Sequence, residues 1–372
     1  MKKKIMLMFG TRPEAIKMCP LVKALEKDQR FDSVVCVSGQ HREMLDQVLD
    51  IFQVQPDYDF DIMTKNQSLS QITSRILSKI DGVLEEEKPD MVLVHGDTST
   101  TFAGSLGAFY HQIPVGHVEA GLRSQDMWSP FPEEANRALT SKVTSMHFAP
   151  TQSNKDNLLR ENIKEEAIYL TGNTVIDALN MVIDKDYVFQ EDVLKDIDFD
   201  QEKVILVTAH RRENLGQPMV AIFTAIKRLI EDLGVRVIYP IHLNPKVRAI
   251  ANDVFGDMDG IHLIEPLTYK PFANLMARSY LIMTDSGGLQ EEAPALGKPV
   301  LVLRRETERP EAVAAGTVAM VGVEEEVIYQ KAYQLMTNQA AYDSMAKAAN
   351  PYGDGHSVDR IINEIHGYFT SK

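Results

Sequence analysis

The sequence predicts an α/β protein with two doubly wound, Rossmann-like domains that face a cleft. The first observation is an internal repeat, because residues 4–14 (KIMLMFGTRPE) and residues 203–213 (KVILVTAHRRE) both pass from an apolar run into an arginine-bearing turn. The second is the alternation of strand-like and helix-like segments, which is typical of parallel sheets with crossover helices. The third is the length of 372 residues, which suits two domains better than one.

The individual elements follow from apolar runs of strand length and from longer segments with helical periodicity. The predicted strands are 4–9, 34–38, 91–95, 114–118, 146–149, 167–170, 204–208, 235–240, 261–264, 281–284 and 299–303, and the predicted helices include 13–28, 68–87 and 216–233. The acidic segment 184–202 lacks this periodicity and predicts an irregular region between the domains. We expect an N-terminal domain over 1–172, a C-terminal domain over 173–355, and a tail helix over 356–372 that packs on the first domain.

Composition and charge exclude several classes of protein. The net charge of −14 argues against a surface that coats nucleic acid or an anionic membrane. Cys19 and Cys36 have no metal-type spacing, which predicts a reduced, cytoplasmic protein. The apolar run Ile5–Phe9 is too short for the core of a signal peptide, and no stretch approaches the roughly 18 apolar residues of a membrane span.

The loop after the first predicted strand carries positive charge at the start of a helix. Arg12 and Lys17 lie there, and Pro13 is well placed as the first helical residue. The free N–H groups of a helix N-terminus already favour an anion, so the two cations predict an anion site. An ordinary solvated turn with helix-surface charges is the alternative.

Three later positions place carboxylates where strands end or a helix begins. Asp97 follows strand 91–95 and is either a functional carboxylate or a helix N-cap. Glu119 ends an apolar strand, where burial raises the pKa of a carboxylate unless a cation compensates, and such groups transfer protons well. Glu133 and Arg137 are four residues apart on one helix face, either as functional groups or as a surface ion pair.

The second half of the chain carries two comparable loops. His210, Arg211 and Arg212 directly follow strand 204–208, and three potential cations in a row are not expected in a core. After strand 281–284 comes a turn of small residues that opens a helix, with a carboxylate one helical turn further on and an arginine before Pro310. Small residues let backbone N–H groups approach a phosphate, and the carboxylate can accept two ribose hydroxyls. These residues are Ser286, Gly287, Gly288, Glu292 and Arg309.

Several common nucleotide motifs do not occur in the sequence. We find no G-x-G-x-x-G segment, so a bound nicotinamide has no evident position. A Walker-type loop and a D-x-D pair for a metal-nucleotide are likewise missing from the sequence.

Taken together, seven motifs resemble the non-hydrolysing UDP-N-acetylglucosamine 2-epimerases. They run in order from Gly10 to the last third of the chain, and the resemblance extends to about Gly355: GTRPEAIK, HGDTST, HVEAGLRS, PEEANR, TAHRREN, TDSGGLQEEAP and TERPE. The resemblance implies the two-domain GT-B fold, with the sugar nucleotide in the cleft between the domains. It also implies a cytoplasmic homodimer that interconverts UDP-N-acetylglucosamine (UDP-GlcNAc) and UDP-N-acetylmannosamine (UDP-ManNAc) without metal or nicotinamide, and so supplies units for bacterial cell-surface polysaccharide.

The resemblance also implies roles for individual residues. The implied catalytic residues are Asp97, Glu119 and Glu133, with His210 and Arg137 as supporting groups. The implied substrate and UDP contacts are Arg12, Lys17, Asp97, Glu119, His210, Phe272, Ser286, Gly287, Gly288, Glu292 and Arg309, with Phe272 against the uracil. The implied reaction eliminates UDP to 2-acetamidoglucal and then adds UDP back after protonation of the other sugar face.

A second, activating UDP-GlcNAc is often bound by bacterial members of this family. Its marks here are Gln40 and His41 in the segment Gln-His-Arg, together with His242. An Arg-Gln dipeptide that often accompanies them is Asn66-Gln67 in this chain. Because the missing arginine removes a bidentate phosphate contact, regulation is less strongly predicted than catalysis.

Three other functions remain open from the sequence. A hydrolysing relative releases free N-acetylmannosamine and UDP, so its products identify it. A GT-B glycosyltransferase requires an acceptor and leaves UDP-GlcNAc alone unchanged. A sensor binds UDP-GlcNAc without turnover, but three carboxylates at strand ends and a helix start argue against it.

Overall fold

The computed structural model describes residues 2–40, 42–64 and 66–371, and it divides into two compact units. The N-terminal unit consists of Met1–Met181 and Tyr352–Lys372. The C-terminal unit consists of Val182–Pro351. The sequence predicts these boundaries after residues 172 and 355, whereas the two units divide after residues 181 and 351.

The N-terminal unit contains one parallel sheet of seven strands with helices packed around it. Its strands are β1 (Lys3–Phe9), β2 (Phe31–Val37), β3 (Tyr58–Asp59), β4 (Met91–His95), β5 (Val115–Val118), β6 (Met146–Ala149) and β7 (Ile168–Leu170). Its helices are α1 (Arg12–Lys27), α2 (Arg42–Phe52), α3 (Leu69–Glu87), α4 (Ser99–Tyr110), α5 (Glu133–Val143), α6 (Gln152–Arg160), α7 (Thr174–Val182, which ends at the boundary) and α16 (Ser357–Thr370). The spatial order of the strands is β3-β2-β1-β4-β5-β6-β7.

The C-terminal unit contains a parallel sheet of six strands. Its strands are β8 (Val204–Thr208), β9 (Arg236–Pro240), β10 (Ile261–Ile264), β11 (Leu281–Thr284), β12 (Val300–Val302) and β13 (Val318–Met320). Its helices are α8 (Asp192–Lys195), α9 (Gln217–Leu233), α10 (Pro245–Phe255), α11 (Tyr269–Arg278), α12 (Leu289–Ala295), α13 (Pro310–Ala315), α14 (Glu325–Thr337) and α15 (Gln339–Ala346). The spatial order is β10-β9-β8-β11-β12-β13.

Both sheets reverse their chain order next to the first strand. β1 lies between β2 and β4, and β8 lies between β9 and β11, with parallel pairing throughout. Ligands of doubly wound sheets bind outside the carboxyl ends of the strands at this reversal. The predicted fold class of two doubly wound α/β domains is confirmed, and the loops after β1, β4, β8 and β11 are the expected positions for a site.

The central strands are apolar because helices cover both faces of the sheet. Leu7, Leu93, Leu206 and Met283, from the two central strands of each sheet, are fully buried. Strands buried on both faces read as continuous apolar runs, which is why they were predictable. Their rigid ends hold the loops that carry the candidate residues.

Three elements differ from the prediction. The edge strands β3 and β13 are only two and three residues long, too short for a recognisable apolar pattern. The predicted interdomain segment 184–202 belongs to the C-terminal unit instead. There Phe189 is buried, and Arg278 of α11 donates a hydrogen bond to the carbonyl of Tyr187 at 2.7 Å. Packing of scattered aromatic residues, rather than periodicity, orders this segment.

The tail helix α16 is held by its own N-terminus. The carboxylate of Asp177 accepts hydrogen bonds from the backbone N–H groups of Ser357 at 3.3 Å and Val358 at 3.0 Å. These N–H groups have no partner within the helix, so a carboxylate stabilises them. Ile361 and Ile365 of the same helix are fully buried. The tail therefore belongs to the N-terminal unit.

Candidate active site

The loop after β1 is tied to the start of α4 by one buried carboxylate. Glu14 accepts hydrogen bonds from the backbone N–H groups of Gly10 at 3.0 Å and Thr11 at 2.8 Å. It also accepts from the hydroxyls of Thr98 at 2.7 Å and Thr101 at 3.2 Å. Burial raises the pKa of Glu14, although these hydrogen bonds oppose the increase. No role is predicted for Glu14 from the sequence beyond its place in a motif, and the structure makes it the link between two site loops.

Arg12 is left available at the start of α1. Thr11 caps this helix, and Pro13 follows in the first turn. The Arg12 side chain is exposed, and its guanidinium makes no hydrogen bond or ion pair with any residue that the structure describes. A cation at a helix start, with no protein carboxylate on it, fits the predicted anion contact.

Glu119 is held in an unusual backbone conformation and paired with a cation. Its φ of +62° lies in the left-handed region, which non-glycine residues rarely adopt outside special sites. The Lys17 ammonium forms an ion pair with its carboxylate. The side chain of Lys17 is 15% exposed and that of Glu119 is 14% exposed. The side-chain amide of Asn173 donates a second hydrogen bond at 2.8 Å. Lys17 is thus the compensating cation that the buried position of Glu119 requires.

His95 lies beside Glu119 and was missed from the sequence. Its Nε2 atom is 3.8 Å from a carboxylate oxygen of Glu119. The ring is buried, and within the described part of the chain neither ring nitrogen has a hydrogen-bond partner. Burial lowers the pKa of His95 to about 3, so the ring is neutral at neutral pH. A histidine that ends a buried strand next to Gly-Asp is the only sequence signal that pointed to it.

Asp97 is a partner of Arg137 and not a helix cap. Both Nε and Nη2 of Arg137 donate to one Asp97 oxygen, at 2.9 and 2.7 Å. Thr98 caps α4, because its hydroxyl accepts a hydrogen bond from the backbone N–H of Thr101 at 3.2 Å. The N-cap interpretation of Asp97 is therefore wrong, and the structure brings together two of the predicted catalytic residues.

The adjacent glutamates at the start of α5 have different surroundings. Glu134 is buried and accepts hydrogen bonds from the backbone N–H groups of Ser124 at 3.0 Å and Gln125 at 3.2 Å, and from Arg137 at 2.9 Å. Glu133 is half-buried, and among residues 2–40, 42–64 and 66–371 no hydrogen bond or ion pair is found for it. The alternative of a Glu133–Arg137 surface ion pair is wrong, because Arg137 pairs with Asp97 and Glu134. Glu133 keeps an available carboxylate.

In the C-terminal unit, Asp285 joins the loops at the reversal of the sheet. Asp285 follows β11 and is fully buried. One of its oxygens accepts hydrogen bonds from the backbone N–H groups of His210 and Arg211, both at 2.8 Å. The amide of Asn214 donates to the same oxygen at 3.2 Å. No role was predicted for Asp285, although its position directly after a buried strand was visible in the sequence.

The His210 ring lies between Asp285 and His242. Its Nδ1 atom is 3.5 Å from the second Asp285 oxygen. The rings of His210 and His242 are stacked, with centroids 5.0 Å apart and planes inclined by 4°. Burial lowers the pKa of His210, and the charge of Asp285 opposes this. The structure therefore places His242, predicted for a regulatory site, against a predicted catalytic residue.

The turn after Asp285 leaves backbone donors open. The N–H groups of Gly287 and Gly288 donate to none of the described residues. A Cβ atom at these positions would meet only carboxylate oxygens of Glu308 and Glu292, at the ordinary distances of 3.6 and 3.5 Å. Neither glycine has a left-handed φ, so neither packing nor backbone conformation requires glycine. Close approach of a ligand to the backbone is the remaining physical reason.

The other predicted nucleotide contacts surround this turn. The guanidinium of Arg309 forms an ion pair with the buried carboxylate of Glu291. Burial, followed by the charge of Glu292, raises the pKa of Tyr269, the first residue of α11. Glu292 therefore lies near the first turn of α11, which also carries the half-buried Phe272. These positions are compatible with a carboxylate and an aromatic ring on one nucleoside.

The remaining predicted regulatory residues lie in the N-terminal unit. Gln40 accepts a hydrogen bond from the Thr100 hydroxyl at 3.3 Å. Gln67 accepts one from Arg75 at 2.8 Å. His41 lies outside the described residues. The second nucleotide-sugar site stays a prediction.

A metal-binding cluster and a membrane-spanning helix are both missing from the residues that the structure describes. No group of three or more histidine, cysteine, aspartate or glutamate side chains there is arranged to hold a metal ion. In the same part of the chain, no helix combines the length and the apolar character needed to cross a membrane.

A family model and a bacterial protein with the same description both match most of this chain. A family model described as UDP-N-acetylglucosamine 2-epimerase matches residues 23–366. The UDP-N-acetylglucosamine 2-epimerase of Bacillus subtilis is 56% identical over 371 residues, covering 99% of this chain and 97% of that protein.

Solved structures with bound nucleotides are also similar. The UDP-GlcNAc 2-epimerase of Neisseria meningitidis bound to UDP-GlcNAc has a TM-score of 0.86 and 51% identity, covering 98% of this chain and 100% of that one. A complex of S. aureus MnaA with UDP has a TM-score of 0.87 and 50% identity, covering 99% and 97%.

Proposed function

The chain belongs to the UDP-N-acetylglucosamine 2-epimerase family, and on that premise we propose that it interconverts UDP-GlcNAc and UDP-ManNAc by eliminating and re-adding UDP. The observation that carries the proposal is the set of three carboxylates in the N-terminal unit. Asp97 and Glu119 follow adjacent strands and each has a cationic partner, whereas Glu133 keeps an available carboxylate. Acid–base groups of this kind are needed to move a proton at a sugar carbon.

The chemistry explains why elimination precedes proton exchange. The C2 proton of the sugar is not next to a carbonyl, so its direct removal is very unfavourable. Departure of UDP with the electrons of the anomeric C–O bond gives an oxocarbenium-like centre, which makes the C2 proton acidic. Loss of that proton forms the C1–C2 double bond of 2-acetamidoglucal. Protonation of C2 from the opposite face and return of UDP to C1 then complete the epimerisation.

The ion pairs of the N-terminal unit suggest how the carboxylates become active. Lys17 compensates the charge of Glu119. A diphosphate that attracts the Lys17 ammonium weakens this pair and makes Glu119 a stronger proton acceptor. Arg137 orients Asp97, since two of its nitrogens donate to the same oxygen. Which carboxylate serves which sugar face is left open.

Binding of UDP uses groups with spare hydrogen-bonding capacity. Arg12 of the N-terminal unit is suited to contact an anion, and in the C-terminal unit His210 and the open N–H groups of Gly287 and Gly288 are suited to contact a diphosphate. As the family resemblance implies, Ser286 and Arg309 add hydrogen-bond donors for UDP, Glu292 accepts the ribose hydroxyls, and Phe272 contacts the uracil. The nucleotide complexes of the similar structures support this class of ligand.

Proton NMR in D2O tests the proposal. The protein is incubated with UDP-GlcNAc alone, and we expect UDP-ManNAc that carries deuterium at C2, because the released proton exchanges with solvent before protonation. Retention of the original hydrogen at C2 would show that the proton does not exchange. A Glu119→Gln variant incubated in parallel controls for contaminating epimerase.

The same experiment separates the alternatives. Free N-acetylmannosamine with UDP identifies the hydrolysing reaction, and unchanged UDP-GlcNAc is expected of a glycosyltransferase without acceptor or of a sensor. We further propose that the protein acts as a cytoplasmic homodimer that supplies bacterial cell-surface polysaccharide, as the family resemblance implies. Analytical ultracentrifugation of the purified protein tests the dimer.

A further inference from the structure

Asp285 uses only one of its two carboxylate oxygens. That oxygen accepts the backbone N–H groups of His210 and Arg211 at 2.8 Å and the Asn214 amide at 3.2 Å. The other oxygen is buried and has no hydrogen-bond partner among the residues that the structure describes. An unpaired oxygen of a buried carboxylate is costly unless a donor reaches it in a working state of the protein.

His210 is the donor placed to reach that oxygen. Its Nδ1 atom is 3.5 Å away, so a small rotation of the imidazole brings it into hydrogen-bond range. Two other polar groups near Asp285 donate to backbone carbonyls instead. The Tyr239 hydroxyl donates to the carbonyl of Ala209, and Arg211 Nε donates to the backbone carbonyl of Asp285 at 3.3 Å.

His242 completes the arrangement on the face of the His210 ring. The backbone N–H of Asn244 donates to His242 Nδ1 at 3.0 Å, so Nδ1 is an acceptor and the proton of a neutral ring lies on Nε2. The two rings are nearly parallel, with centroids 5.0 Å apart. Two stacked imidazolium ions would repel each other, whereas one imidazolium over one neutral ring is tolerated. His210 is therefore the ring of this pair that can take up a charge.

We propose that Asp285 is a positioning residue that fixes a proton on Nδ1 of His210, so that Nε2 donates to an anion only when the ring is positively charged. With Nδ1–H directed at Asp285, a neutral His210 presents a lone pair at Nε2, which repels a phosphate oxygen. A diphosphate that contacts Nε2 must therefore bring a proton to the ring. This inference rests on the proposed function, because it takes the diphosphate of UDP as the anion.

The charge then appears where the reaction needs it. Burial lowers the pKa of His210 and favours its neutral form, although the charge of Asp285 opposes this. On binding, the diphosphate and Asp285 lie on opposite edges of the ring, and both favour the imidazolium. The groups that oppose it are His242, against the ring face, and Arg211, next in the chain. The departing UDP would then face a positively charged His210 imidazolium instead of a neutral hydrogen-bond donor.

Proton uptake on UDP binding is the direct test. Calorimetry in buffers of different ionisation enthalpy, at pH 7.5, measures the protons taken up by the wild-type protein and by His210→Gln. Because the terminal phosphate of UDP also titrates, the difference between the two proteins is the quantity of interest. We expect uptake of roughly half a proton or more that His210→Gln lacks, in line with a charge-assisted contact.

Asp285→Asn separates positioning from loop support. Asparagine keeps an oxygen for the two backbone N–H groups but directs its NH2 group at Nδ1 of His210, which reverses the tautomer. We expect this variant to lose the extra proton uptake and to lower kcat on the order of 100-fold, the scale of losing one preorganised electrostatic partner. In a His210→Gln background, the same substitution should add almost nothing.

Asn214→Ala is the matched control. It removes a donor to the occupied Asp285 oxygen and leaves the oxygen that faces His210, so proton uptake should remain at the wild-type value. If Asp285→Asn keeps the extra proton uptake, or weakens UDP binding equally with and without His210, Asp285 only supports the loop and the inference is wrong.

A measurement on the unaltered protein does not depend on how the variants fold. Nitrogen-15 NMR of labelled histidine, with His210 assigned by its substitution, should find Nδ1 protonated in the neutral ring at pH 8. An Nε2-protonated neutral ring would overturn the inference. Failure of the wild-type protein to bind UDP would instead contradict the proposed function, while the NMR result still decides the tautomer.

Discussion

The candidate residues of the two units hold their charges in different ways. In the N-terminal unit, Asp97 and Glu119 are paired with the cations Arg137 and Lys17. In the C-terminal unit, the buried carboxylate of Asp285 is held mainly by backbone N–H groups. In the first arrangement, a ligand can redistribute charges that are paired with one another. In the second, the hydrogen-bond donors are already in place. Proton transfer suits the first and anion binding suits the second.

The two units also differ in their histidines. His95, His117 and His147 of the N-terminal unit are buried, and burial lowers their pKa to about 3, about 4 and about 3. Among the described residues of the C-terminal unit, no histidine is buried to this extent. The N-terminal unit should therefore respond more strongly to acid.

The largest expected effect concerns a carboxylate of the N-terminal unit that is paired with a cation. Glu119→Gln keeps the shape of the side chain but removes its capacity to take a proton. We expect kcat for epimerisation to fall by about 10³-fold, within the usual range for loss of an acid–base group. UDP affinity by calorimetry should change by less than about 10-fold, because the substitution leaves the Lys17 ammonium in place for the diphosphate. A kcat near the wild-type value would mean that Glu119 only holds Lys17.

The neighbouring glutamates of α5 provide a matched pair. Glu133→Gln should lower kcat by about 10²-fold or more with unchanged stability, because its carboxylate forms no hydrogen bond or ion pair with a described residue. Glu134→Gln should instead lower the free energy of unfolding by about 1–3 kcal/mol, because the buried Glu134 carboxylate pairs with Arg137. Steady-state kinetics and urea denaturation of both variants measure the two effects. The opposite assignment of the effects would exchange the roles of the two residues.

The C-terminal unit is tested by removal of the His210 ring. His210→Ala should lower kcat on the order of 100-fold, because it removes one preorganised partner of the departing UDP. KM should change less than kcat if the interaction strengthens in the transition state. A raised KM with unchanged kcat would make His210 a uniform binding residue. Initial rates over a range of UDP-GlcNAc concentrations distinguish the two outcomes.

The smallest effect concerns acid stability. Because the folded-state pKa of His147 is about 3, the unfolded chain binds more protons below about pH 6.5, and stability falls as the pH falls. Between pH 6.5 and 5, one such histidine costs up to about 2 kcal/mol. His147→Gln should remove this part of the loss in urea denaturation.

His262 of the C-terminal unit is the control for this prediction. Burial lowers the pKa of His262, but its side chain is only half-buried, whereas His147 is buried. His262→Gln should therefore change the acid loss much less than His147→Gln. Hydrogen exchange at pH 5 should show loss of protection in β5 and β6 before β8 and β9. Equal loss in both units would contradict the contrast between their buried histidines.

The order of strands and helices along the chain could be predicted from the sequence alone. The loops that lie together at each sheet edge follow from that order. Long apolar runs such as β1, β4 and β8 are local patterns, and parallel pairing places their following loops together. Shorter elements escaped prediction, since the two residues of β3 carry no period.

Which cationic side chain pairs with which carboxylate could be known only from the three-dimensional structure. Lys17 pairs with Glu119, 102 positions away, and Arg137 chooses Asp97 and Glu134 over the nearby Glu133. The tertiary structure also placed His95 beside Glu119 and His210 between Asp285 and His242. The physical reason is that an ion pair depends on distance and burial across neighbouring strands, and spacing along the chain fixes neither.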